Sequence, residues 1–159
     1  MTLAAEKPAR RSLFPLVWII GAVGVACLGA GGPVAVSPNA DYIHHDTYYV
    51  VAHFHFSLSL AGALLVMAGL YFLLDTFRLP YRHALAWGHF GIMTLGVCLI
   101  LVPMGALALG GLPRRYADYP ATFATLSRVA GLGYAVTFAS LAVFVWLIVD
   151  ALVRRKGRS

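Results

Sequence analysis

Four long apolar runs, separated by short polar stretches, account for most of the 159 residues. They cover Leu13–Val36, Tyr48–Leu74, Ala84–Leu109 and Val129–Val149. A helix rises about 1.5 Å per residue, so about 20 apolar residues match the ~30 Å hydrocarbon core of a bilayer. The polar stretches hold the breakers: Pro38 and Asn39 in the first, Pro80 in the second, and Gly110, Gly111, Pro113 and Pro120 in the third. The pattern predicts an all-α fold, an integral membrane bundle of four transmembrane helices. An open sheet is excluded because lipid cannot satisfy its edge groups. Trp18, Trp87 and Trp146 fall near run ends, where amphipathic rings favour the interface.

Composition agrees. Hydrophobic residues make up 60% of the chain and charged residues 11%, against about a quarter charged in a soluble domain. Mean hydropathy is +0.80. Charge adds direction. Lys7, Arg10 and Arg11 precede the first run, Arg78 and Arg82 lie between the second and third, and Arg154, Arg155, Lys156 and Arg158 follow the fourth. The other two connections set Arg114, Arg115 and Arg128 against Asp41, Asp46 and Asp118. The positive-inside rule then makes both termini cytoplasmic. The net charge of +6 is a topology signal, and no nucleic-acid partner is expected.

The expected organisation is a basic leader over 1–12, one membrane domain over 13–155 and a basic tail over 156–159. The first run is too long for a signal peptide and lacks a convincing cleavage site, so it reads as a retained span. Cys27 and Cys98 stand singly in different runs and read as small buried hydrophobes. His83 and His89 open the third run and are expected at the interface.

Four of the six histidines fall within DYIHHDTYYVVAHFHF, residues 41–56. Ionisable groups inside a span are costly and mark function by default. His53 and His55 are two residues apart, about 200° of helical rotation and ~3 Å of rise. Their imidazoles leave opposite faces at nearly one depth. One metal cannot easily use both, whereas two hemes, one per face, can. A lone membrane histidine is more readily read as bonded to backbone or hydroxyl groups, and the pairing reverses that preference.

HDTYYVVAHFH resembles the tenth-helix signature of heme–copper oxidase subunit I, the cytochrome c oxidase family. The stretch from His89 to Tyr116, ending in GLPRRY, resembles the family's eleventh helix and the loop after it. The first and fourth runs resemble the end of helix nine and helix twelve, so the likeness is to the C-terminal part of subunit I. The resemblance implies that His53 is the proximal ligand of the high-spin heme and His55 an axial ligand of the low-spin heme. It makes His45 and Asp46 ligands of magnesium or manganese at the subunit II boundary. Asp41, Arg114 and Arg115 would serve the heme propionates. These roles suit the chemistry: imidazole ligates iron, carboxylate and imidazole together suit Mn²⁺ as well as Mg²⁺, and arginine forks bind carboxylates.

The resemblance thus implies heme, with a-type the expected kind. It leaves the copper-ligating histidines and the second low-spin axial histidine without counterparts here, so copper would come only through a partner chain. It also departs locally: the family has Asn at Cys98 and a Gln-His pair at Met104-Gly105. Expected partners are a chain supplying the first eight helices, or a complete subunit I, together with subunit II and the bilayer. The expected location is a bacterial inner membrane. Three roles fit: a split or truncated subunit I contributing heme ligands to respiratory oxygen reduction, an accessory or assembly heme-binding protein without oxidase activity, and a gene fragment. No complete catalytic site lies in the chain, and oxygen reduction is expected only within a larger complex.

Overall fold

A backbone in lipid must satisfy its own polar groups, and the described parts of the apolar runs are helical. The computed structural model describes residues 12–36, 49, 51–52, 57–113, 118 and 120–157. Among them run α1 (Phe14–Val36), α2 (Ser57–Thr76), α3 (His83–Leu109) and α4 (Ala124–Lys156). A 3₁₀ turn, Ala121–Phe123, leads into α4. Tyr49 is helical, and Val51 and Ala52 form a wider π-type turn. The expected all-α class is what is observed. Among the described residues, three segments are long and apolar enough to cross a membrane: Ser57–Thr76, His83–Leu109 and Ala121–Lys156.

Local chemistry sets the helix ends. Ser12 Oγ accepts the Phe14 N–H at 3.1 Å, satisfying a donor that has no partner inside the helix. α2 ends as Arg78 N–H donates to Asp75 O and Leu79 N–H to Leu74 O. This is the paired closure of a Schellman motif, with Arg78 in the left-handed region at φ 53°. α3 closes identically, through Gly111 N–H to Ala108 O and Leu112 N–H to Leu107 O. There the left-handed position is Gly111, φ 78°, which has no Cβ to strain.

The helices pack as two antiparallel pairs, α1 with α2 and α3 with α4. In the first, Phe14 meets Tyr71 and Gly21 faces Leu64. In the second, His89 meets Phe144 while Gly133 lies against Ile100. The second pair is the tighter. A Cβ on Gly133 would stand 2.9 Å from the Ile100 backbone nitrogen, and one on Gly96 would collide with Thr137 Oγ1. Lipid gives apolar helices no hydrophobic reason to associate, so close backbone approach at small residues supplies the packing.

One aromatic cluster ties the two pairs together at a single end of the bundle. Trp18 stacks on Tyr71, with centroids 5.6 Å apart, and packs against His89 at 4.9 Å. His89 stacks on Phe144 at 5.1 Å. Within the cluster the Tyr71 hydroxyl and His89 Nδ1 share a hydrogen bond of 2.9 Å. The Ser140 hydroxyl donates to His89 O at 3.3 Å.

These contacts correct three expectations. His89 is fully buried in the bundle, while His83 is exposed. Trp18 is also fully buried, whereas Trp87 and Trp146 stay exposed. Cys27 and Cys98 are exposed on the helix bundle. The reason is common to all three. Helices apolar all round carry no periodic signal of which face turns inward, so polar edges and ring size decided the packing.

Candidate functional site

Tyr49 and Ala52 are described residues that closely precede the histidine pair. Both are buried, in a second apolar cluster with Ile100, Met104 and Leu107 of α3 and Ala130 of α4. This cluster lies at the end of α3 opposite the aromatic one. Leu112, the residue that completes the α3 closure, is fully buried in it. The closure therefore anchors the chain immediately before the arginine pair begins.

Beside this cluster an apolar cleft of about 470 Å³ opens between the helix pairs. Gly21 and Val25 of α1, Leu64 of α2, and Val97, Leu101 and Gly105 of α3 are among its lining residues, with Tyr49 and Ala52. Thr94 is the polar residue in an otherwise apolar lining to which Tyr49 also contributes. Its size falls in the ~300–1,000 Å³ range of ligand and cofactor sites. Cys98 and Gly105 are both lining residues, and a Cβ on Gly105 would meet nothing within 4 Å.

The residues expected to ligate lie elsewhere in the chain. Asp41, His45, Asp46, His53, His55, Arg114 and Arg115 are all outside the described residues. Among the described residues no group of three or more His, Cys, Asp or Glu could hold a metal ion.

A polar group that no sequence motif marks lies at the opposite end. The Tyr81 hydroxyl donates to Asp75 Oδ1 at 2.9 Å. Burial first, and the neighbouring Asp75 carboxylate, push the Tyr81 phenol up to about 12, while a hydrogen bond with Ser12 pulls the other way. Arg82 and Arg154 both reach Asp150 Oδ2, at 3.3 and 2.8 Å. The signal for this end was present as polar residues flanking the apolar runs, but their pairing needed the antiparallel register.

Residues 1–151 match the sequence profile of the family described as Cytochrome C and Quinol oxidase polypeptide I. The chain belongs to that family. It is 38% identical over 144 residues to "Cytochrome c oxidase subunit 1" of Cereibacter sphaeroides, covering 88% of this chain and 25% of the relative. It is 39% identical over 126 residues to the protein of the same name from Eremothecium gossypii, covering 79% of this chain and 24% of the relative. The chain thus spans about a quarter of the length of these curated relatives. Membership of the heme–copper oxidase subunit I family, with three helices able to cross a bilayer, makes it an integral membrane protein. Within the family pattern, two of the departures noted from sequence, Cys98 and Gly105, fall on the cleft wall.

Proposed function

We propose that this chain supplies the heme-ligating C-terminal face of a heme–copper terminal oxidase, completed by a partner chain. The observation that carries this reading is the subunit I match over residues 1–151, which includes the His53 and His55 pair. Those two histidines would hold the high-spin and low-spin heme irons on opposite faces of one helix. Asp41, Arg114 and Arg115 would hold the propionates, and His45 with Asp46 a magnesium or manganese ion. The heme would be a-type.

The described residues suit such a group. The cleft beside Tyr49 and Ala52 is apolar, a surround that suits the porphyrin face of a heme. When bound, heme would supply one-electron chemistry at iron. This chain's part is to ligate, orient and exclude water. Neutral imidazole donates a lone pair to iron, and an apolar surround keeps the site dry. A single histidine suffices for a high-spin heme. The low-spin heme would need a second axial ligand from the partner, as copper would need its three histidines. Oxygen reduction is therefore a property of the assembled complex.

Four spans with both termini cytoplasmic, in a bacterial inner membrane, complete the proposed placement. The partner would be a chain carrying the first eight subunit I helices, together with subunit II. Purification by a tag on this chain tests the assembly. Recovery of subunit II and of a partner bearing the copper histidines is expected. Recovery of this chain alone, at native expression, would refute it.

A second reading has a specific observation in its favour. Cys98 and Gly105 replace polar family residues on the cleft wall, which fits an accessory or assembly heme-binding module without oxidase activity. That reading predicts heme in the chain when it is isolated from every other subunit.

A further inference from the structure

Arg82 opens α3 and Arg154 lies near the end of α4, yet their Nε atoms meet on one oxygen, Asp150 Oδ2, at 3.3 and 2.8 Å. One carboxylate therefore holds two guanidinium groups close together, leaving an excess positive charge. Exposure is unequal. The Asp150 side chain is 18% exposed, whereas those of Arg82 and Arg154 are 56% and 41% exposed. The acid is covered and the two forks remain open. Each fork has donors beyond the Nε already used, in a geometry matched to phosphate oxygens. Arg155 and Lys156, both exposed, follow directly and add charge of the same sign.

Next to this charge is an apolar surface. Trp146, one turn before Asp150, is 63% exposed, and Val149 and Val153 are also exposed. α4 spans 33 residues, about 50 Å at helical rise, and so reaches beyond a ~30 Å hydrocarbon core. Its last turns thus belong at headgroup level, with Trp146 at the boundary that amphipathic rings prefer. A soluble anion would use the charge and ignore the apolar face. A lipid uses both.

We propose that Arg82 and Arg154, gathered on Asp150, clamp the phosphate of an anionic glycerophospholipid whose acyl chains lie along Trp146 and Val149. Asp150 acts as a positioning residue, holding two like charges at a separation one phosphate can bridge. The site needs no heme and shares no residue with the proposed ligand set.

Trp146 offers a direct reporter. The full chain is placed in phosphatidylcholine vesicles containing an equal small fraction of either brominated-chain phosphatidylglycerol or brominated-chain phosphatidylcholine. Tryptophan quenching by the two is then compared. The wild type should prefer phosphatidylglycerol by about fivefold or more, since each basic side chain near a membrane surface contributes about that factor. The preference should vanish in R82Q/R154Q and be suppressed by high salt. W146F, a change at an exposed position, should remove the excess signal while leaving the clamp intact. Equal quenching of the wild type by both lipids would overturn the proposal. So would an excess that survives R82Q/R154Q, or one that persists unchanged in W146F and therefore reports another site.

Discussion

Tyr71 and His89 show how much a single polar contact weighs once water is gone. Their 2.9 Å hydrogen bond is enclosed by Trp18 and Phe144, and a group left without its partner there costs about 1–3 kcal/mol. Transmembrane hydrogen bonds average nearer ~0.6 kcal/mol because the unfolded chain also finds partners in the membrane. Y71F should therefore lower stability by about 1 kcal/mol in a detergent-denaturation titration, and a Y71F/H89L cycle should return a coupling energy above ~0.5 kcal/mol. Additive single effects would show that the bond is energetically silent. Tyr81 makes a pH-dependent prediction. Its phenol is raised from an ordinary value near 10 to about 12, so the neutral form is favoured in the folded chain. That contribution is fully present below pH ~10 and is lost as pH rises toward ~12. Alkaline destabilisation in this window should be smaller in Y81F than in the wild type. The inward placement of His89 was only partly legible in the sequence. A histidine inside an apolar run is costly in lipid and ought to turn toward the protein, but its place near the run's start admitted an interfacial reading equally well.

At the scale of the element, helix existence was legible and helix orientation was not. The apolar runs Leu13–Val36 and Ala84–Leu109 correspond to α1, Phe14–Val36, and α3, His83–Leu109, because a bilayer imposes both length and composition. α4 continues past its apolar run at both ends, since polar residues at the interface can remain helical where water satisfies them. The close approach of α3 to α4 is the kind of feature no run of hydropathy reveals. Gly96 and Gly133 had no distinguishing signal beyond their size, yet each abuts the opposite helix. G133A should separate the pair and cost about 1–3 kcal/mol, the usual penalty of overpacking. G91A, where a Cβ meets nothing within 4 Å, should cost nothing measurable, and equal effects from the two would show that the contact is not tight. The two helix closures give a complementary test. R78G should stabilise the chain by about 1 kcal/mol by relieving a left-handed side-chain-bearing residue, and G111A should destabilise it by a similar amount.

At the scale of the molecule, the four helices leave broad apolar faces open, with Ile20, Leu28, Val102 and Phe138 all more than half exposed. The chain spans about a quarter of the length of its subunit I relatives, and in the proposed assembly a partner chain would cover these faces. The aromatic cluster closes one end of the bundle, and the cleft opens toward the end that bears Tyr49 and Ala52. Family membership was legible from HDTYYVVAHFH and GLPRRY, because each motif is continuous along the chain. The cleft was not, since it arises between helix pairs whose mutual register no single run encodes. The central claim is that His53 and His55 ligate heme, and reduced-minus-oxidised optical spectra of the chain purified from its native membrane test it most directly. Heme absorbance is expected in the wild-type complex, with the high-spin contribution lost in H53A and the low-spin contribution lost in H55A. A wild-type preparation without heme, or spectra unchanged by both substitutions, would contradict the account.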